Sequence, residues 1–264
     1  MTRIDPTHTP SSTALRIWSV LAVLFGLAGV GAVWGWATAP MRVVPPAADL
    51  SFSSEAIARR AEAAFAEADA ATRRAVPGAR RAELMFFRGA TSSVCAAGVS
   101  GRGVFYCPET GTAAFDLGYL ESLVARLKGD AELAVVLAAA RLAAEHRQRE
   151  SDILDMAALD MIGARKKRRT DIMLGLALQA DCLTGAWAWG TRSSLGGVPD
   201  AFWGRLVRST RTIAADFASV GRPIPPELDT FGEGTVEERE AAFRRGYADA
   251  SGTACPSPVT LVTR

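Results

Sequence analysis

Hydrophobic and polar positions along the chain fall into three kinds of run. The first, Ile17 to Thr38, is 22 residues without a charge. At about 1.5 Å rise per residue such a helix crosses a hydrocarbon core of roughly 30 Å. The second, Leu174 to Trp189, is apolar on nearly every side, which predicts a central buried helix. The third kind is amphipathic at helical spacing. Ser54 to Val76 carries Ile57, Ala61, Ala64, Phe65 and Ala68 on one face, with Ser54 as a cap before Glu55 and Pro77-Gly78 as its stop. Ala131 to Arg149 carries Leu133, Val136, Leu137, Ala140 and Ala144. Ser151 to Met173 continues helically with Ile153, Met156, Leu159 and Met161, and Ala201 to Ser219 carries Phe202, Leu206, Ile213 and Phe217. A helix is also expected over Tyr119 to Leu127. Thr235-x-x-Glu238 is a capping box that opens a last helix, to about Ala250. Short strands are predicted at Ala82–Phe87, Gly103–Tyr106 and Thr112–Leu117. Gly190 to Asp200 reads as loop and Pro223 to Pro226 as a breaker. The pattern predicts an α+β, mostly helical domain with a small sheet, preceded by a single N-terminal transmembrane helix.

The domain organisation follows from the same pattern. Residues 1–16 are a polar tail, 17–38 the transmembrane helix, 39–54 a proline-rich linker, 55–256 the folded domain and 257–264 a short tail. Trp18 near one end of the span, and Trp34 and Trp36 near the other, suit the two interfaces. Arg16 at the boundary of a short tail favours a cytoplasmic N-terminus. A cleaved signal peptide would account for Ala37-Thr38-Ala39, but the apolar run is long for one and Pro40 would follow the cut. Gly31 and Gly35 form a GxxxG face through which two spans can pair, giving a homodimer.

Charge narrows the partners. The net charge of +2 implies no strong electrostatic partner and argues against nucleic acid. Arg165 to Arg169 is a run of five cations, which reads either as a solvated turn or as a contact for anionic lipid or an acidic partner. Only His8 and His146 occur, which restricts any metal or acid–base chemistry, and His146 is expected on a helix surface. Asp181 interrupts the central apolar run. A carboxylate there must be paired, hydrogen-bonded or neutralised. The four Cys allow three pairings.

Several segments resemble the neutral zinc metallopeptidase family of membrane-anchored bacterial proteins with a zincin-type core. Leu178 to Cys182 (LQADC), followed by Gly185-Ala186-Trp187, is similar to the family's ELQADC segment. Val94–Gly98 (VCAAG) and Phe105–Pro108 (FYCP) resemble its first Cys pair, Phe115–Leu123 (FDLGYLESL) a strand and helix, and Phe243–Cys255 (FRRGYADASGTAC) its closing segment. The resemblance implies a zincin-like core and a zinc site made of HExxH plus a third-ligand Glu, in which two His hold the metal and the Glu activates its water. This chain departs from that site. The third-ligand position is Ala177. Anchored on Gly129-Asp130, the His positions fall on Ala139 and Ala143 and the base on Ala140. Counted without a gap from Cys107, they fall on Arg141, Glu145 and Leu142. A further His of the family corresponds to Glu233.

The resemblance therefore implies a peptidase-like protein with no catalytic residue at the degenerate positions Ala139, Ala140, Ala143 and Ala177. Zinc, the family's cofactor, is not expected here, and Asp181 is left as an outer carboxylate of the lost site, held by local donors or partly protonated. The two helices are expected to pack closely through Ala139, Ala143 and Ala177. The function expected is binding of cell-envelope proteins or peptides without catalysis. An active neutral metallopeptidase or hydrolase with an unrecognised site is the alternative. The family's Cys order implies Cys95–Cys107 and Cys182–Cys255, hence an oxidising compartment. The expected location is the inner membrane, single-pass, with the C-terminal domain periplasmic or extracellular.

Overall fold

The computed structural model describes residues 53–89, 95, 103–219, 234–249 and 251–257, with backbone alone for 217–219. The expected N-terminal tail, transmembrane span, linker to residue 52, Pro223–Pro226 breaker, Glu233 and the C-terminal tail beyond residue 257 lie outside the described residues. Among the described residues no helix is long and apolar enough to cross a membrane.

The chain opens with α1 (Ser54–Ala75), whose N-cap is Ser53 rather than Ser54: the Ser53 hydroxyl accepts from the Ala56 amide at 3.3 Å. Three strands follow, β1 (Glu83–Phe87), β2 (Val104–Cys107) and β3 (Thr112–Asp116). They form one sheet in the order β1-β3-β2, with β1 parallel and β2 antiparallel to β3. Every residue of β2 and β3 is buried, so neither strand shows polar alternation. One face of the sheet, with Val104, Tyr106, Ala113 and Phe115, joins the main helical core. The other, with Phe105, Cys107 and Ala114, packs around Cys95, which is bonded to Cys107.

Helix α2 (Leu117–Leu127) starts from Asp116, whose carboxylate accepts from the Gly118 amide at 2.9 Å. A 3-10 turn at Lys128–Asp130 leads into α3 (Ala131–Glu150). The next stretch is not one continuous helix. It divides into α4 (Ile153–Met161) and α5 (Lys166–Gly190), because Ile162 is extended and Gly163 takes φ +70°, a left-handed turn that suits glycine. The cation run thus becomes the entry and first turn of α5. The Gly190–Asp200 loop contains a one-turn helix, α6 (Arg192–Leu195). Helix α7 (Phe202–Ser219) buries Phe202, Trp203, Leu206 and Ile213. Helix α8 (Val236–Tyr247) has the expected capping box, Thr235 with Glu238.

The fold is α+β and mostly helical. Helices α3 and α5 are buried along most of their length, as all-round apolar helices must be. Helix α8 lies unusually close to α5. A Cβ on Gly246 would sit 1.8 Å from the Cys182 carbonyl oxygen, and one on Gly185 would sit 2.1 Å from that of Phe243. Glycine at both positions lets the backbones touch. The Cys182–Cys255 disulfide, with a Cα separation of 5.5 Å, ties the chain beyond α8 to the same helix. Both Cys pairs implied by the family resemblance are thus the pairs present.

Candidate functional site

The helical core contains two polar clusters, and both are built on α3. Its Arg141, Glu145 and Gln148 recur at i, i+4 and i+7 and so face one way, toward α5. Opposite Arg141 stands Asp181, fully buried at 0 % exposure. Arg141 Nε donates to Asp181 Oδ1 at 2.8 Å, and Arg141 Nη1 donates to Glu145 Oε1 at 2.6 Å. From α8, Arg239 (0 % exposed) donates through Nε and Nη2 to both oxygens of Asp181, the Nη2–Oδ1 distance being 2.8 Å. Two guanidinium groups and two carboxylates are thus gathered where three helices meet. Nearby, Gln148 Nε2 donates to the Leu176 carbonyl and to Gln179 Oε1, each at 2.9 Å.

The electrostatics follow from burial. Each charge would be strongly unfavourable alone in this interior, and the cluster is tolerable because its formal charges cancel and are hydrogen-bonded. Burial raises the Glu145 carboxyl above its ordinary value, while Arg141 and Arg239 pull it back down. Asp181 is therefore held by donors from two neighbouring helices.

On another face of α3, His146 is 1 % exposed rather than on the helix surface, where its charged neighbours Glu145, Arg147 and Arg149 would put it. Tyr106 of β2 covers it, with its hydroxyl 2.8 Å from Nδ1. Nε2 lies 2.9 Å from the Arg80 carbonyl, which can only accept, so Nε2 bears a proton. Asp69 Oδ1, also buried, is 3.5 Å from Nε2. Burial pushes the Tyr106 phenol well above its ordinary range, which keeps it a donor. Both ring nitrogens of His146 are engaged.

Of the two alignments for the HExxH positions, the one running through Arg141, Leu142 and Glu145 lies beside Ala177: Arg141 Nη2 is 3.5 Å from the Ala177 carbonyl oxygen. Ala140 and Ala143 open instead onto a cleft of about 160 Å³, lined also by Thr72 and Ala75 of α1 and Leu183 and Trp187 of α5. Ala139 is buried in the main core. The close approach expected through Ala139, Ala143 and Ala177 is corrected accordingly. The α3–α5 contact includes Ala144, Ala180 and Leu183 together with the Arg141–Asp181 and Gln148–Gln179 hydrogen bonds, and the Arg141 side chain lies beside Ala177.

Asp181 was visible in the sequence as a lone acid in an apolar run. Arg141 carried a similar signal, a cation inside a helix of Ala, Leu and Val. Arg239 carried none. It follows two glutamates in a capping turn that reads as exposed, and only the close crossing of α8 over α5 buries it.

The family described as "putative neutral zinc metallopeptidase" matches residues 48–257. The chain belongs to this family. It is similar to the protein named Uncharacterized protein YpfJ of Escherichia coli K12, with 27% identity over 176 residues, 66% of this chain and 60% of that protein. The likeness to YpfJ of E. coli O6:H1 has the same extent and identity. The chain thus spans about 60% of the length of these curated relatives. No solved structure matches it significantly.

Membership raises the question of whether the residues present suit zinc. Zinc in such a site takes three side-chain donors with free lone pairs around an open water position. Guanidinium groups donate hydrogen bonds and accept none. Here Arg141 and Arg239 occupy both oxygens of Asp181, Arg141 also holds Glu145, and the Ala177 side chain is a methyl group. A dication placed among them would face two fixed cations. These residues do not fit the metal. Among the described residues no group of three or more His, Cys, Asp or Glu is arranged to hold one.

Proposed function

We propose that this family member has exchanged the metal for an ion-paired core and acts by binding cell-envelope proteins or peptides rather than by zinc-dependent hydrolysis. The observation that supports this reading is the Arg141–Asp181–Arg239 cluster, which surrounds the buried carboxylate with cationic donors and brings Arg141 beside Ala177, the position of the third ligand in the family resemblance. Ala140 has no group to take a proton, and neither does Leu142 in the alternative alignment. The 160 Å³ cleft beside Ala140 and Ala143 offers an apolar seat for a side chain of a bound peptide.

The same reading places the chain at the inner membrane, held by the apolar run 17–38, with its domain periplasmic or extracellular. Two disulfides support that side of the membrane. Pairing of spans through Gly31 and Gly35 makes it a homodimer.

Elemental analysis after dialysis without chelator, together with casein hydrolysis with and without added zinc, tests the catalytic half. The expected result is far less than one zinc per chain, no chelator-sensitive cleavage and a melting temperature unchanged by chelator. Stoichiometric zinc with chelator-sensitive cleavage overturns it. Crosslinking pull-down from native membranes tests the binding half, a specific envelope protein or peptide being the expected catch.

A further inference from the structure

Three large hydrophobic residues stand out as exposed on the described surface, and they lie within seven positions: Met156 at 58 %, Leu159 at 62 % and Ile162 at 77 %. Met156 and Leu159 share a face of α4, and Ile162 continues the line just past its end. The opposite face of α4 is spent on packing: Ala157, with Ile153, Leu154 and Met161, meets Ile172, Met173 and Leu176 of α5. The exposed ridge is therefore additional to what the fold needs. The cation run starts three residues beyond it. Arg165, Lys166, Lys167 and Arg169 are exposed and Arg168 is half-buried. Lys167 pairs with Asp171 and Arg168 with Asp160, while Arg165, Lys166 and Arg169 have no carboxylate partner among the described residues. Five cations at the start of a helix also oppose its dipole, so helix stability does not explain them.

We propose that the α4–α5 edge, Met156 to Arg169, is a docking surface for an anionic lipid bilayer, with the aliphatic ridge entering the headgroup–acyl boundary and the cations meeting lipid phosphates. Both halves of the edge are used by such a surface. An acidic protein would use the cations and leave the ridge without a role. A second copy of the chain would cover the ridge but bring five more cations against these five. The proposal uses no residue of the N-terminal run or of the buried ion cluster, so it stands or falls independently of the proposed lack of catalysis.

Hydrogen–deuterium exchange on the full chain in nanodiscs tests it. Protection of residues 153–169 is expected in phosphatidylglycerol-containing discs and not in pure phosphatidylcholine discs. An anionic surface attracts each nearby cation by a factor of about five, so Arg165→Gln, Lys166→Gln and Lys167→Gln together weaken the docking equilibrium on the order of 100-fold. Leu159→Ser with Ile162→Ser is expected to remove the protection while leaving the melting temperature unchanged. Equal exchange in the two kinds of disc overturns the proposal. So does protection that depends on protein concentration, which marks self-association, or protection by soluble polyglutamate without any by anionic lipid, which marks an acidic protein site.

Discussion

The two polar clusters on α3 solve the same problem differently. Toward α5 and α8 the helix presents Arg141 and Glu145 to Asp181 and Arg239, four ionisable groups in one interior. Toward the sheet it presents His146 to two neutral partners, a tyrosine hydroxyl and a backbone carbonyl, with the Asp69 carboxylate farther off at 3.5 Å from Nε2. The difference lies in what each loses when a member is removed. A neutral group left alone forfeits one hydrogen bond. A buried ion left alone has no counter-charge and no water. Separating the three helices of the charged cluster is therefore costly, whereas losing one of the His146 contacts with a neutral partner costs a single hydrogen bond.

Removing the central carboxylate is the strongest way to break this comparison. Asp181→Ala leaves Arg141 and Arg239 facing each other, and is expected to destabilise the domain by roughly 3–5 kcal/mol in urea unfolding. Replacing the cluster as a unit, with Arg141→Leu, Asp181→Leu, Arg239→Met and Glu145→Gln, is expected to cost much less than the single change. A mild effect of the single change would mean that the buried charges tolerate separation. Next is the crossing that brings Arg239 to Asp181. Gly246→Ala puts a methyl group against the Cys182 carbonyl, and no side-chain rotation relieves it, so a loss of about 3 kcal/mol is expected in the same measurement.

On the neutral side, Tyr106→Phe removes the donor to His146 Nδ1 and is expected to cost about 1 kcal/mol, with the fold retained by circular dichroism. A loss as large as that of Asp181→Ala would erase the distinction between the clusters. The smallest effect sharpens it. Burial raises the Glu145 carboxyl above its ordinary 4.5. The folded state then keeps a proton that the unfolded chain releases, so Glu145 makes stability decline as pH rises from 4.5 through the raised value. Glu145→Gln is expected to flatten that part of the stability–pH curve, measured by urea midpoints across the range.

Much of the fold was legible because its signals are local. The capping box at Thr235, the apolar periodicity of α1 and the strand runs each lie within a few neighbouring residues, and the structure keeps them close to where the pattern put them. The break at Ile162 was missed because apolar spacing continues straight through it, and Gly163 alone marks the turn. His146 was read as exposed because it sits beside Glu145, Arg147 and Arg149. Its burial depends on Tyr106, forty residues earlier.

The sequence by itself determined that the central run is buried and that Asp181 within it must be answered by a donor. Those conclusions follow from the free energy of placing apolar and charged groups, which each residue carries wherever it ends up. Only the tertiary structure decided which donor answers. Arg239 is 58 residues from Asp181 in sequence, and it reaches the carboxylate because two glycines let α8 lie against α5. Partner choice is a property of distances between helices, and nothing in the local pattern at Asp181 encodes them.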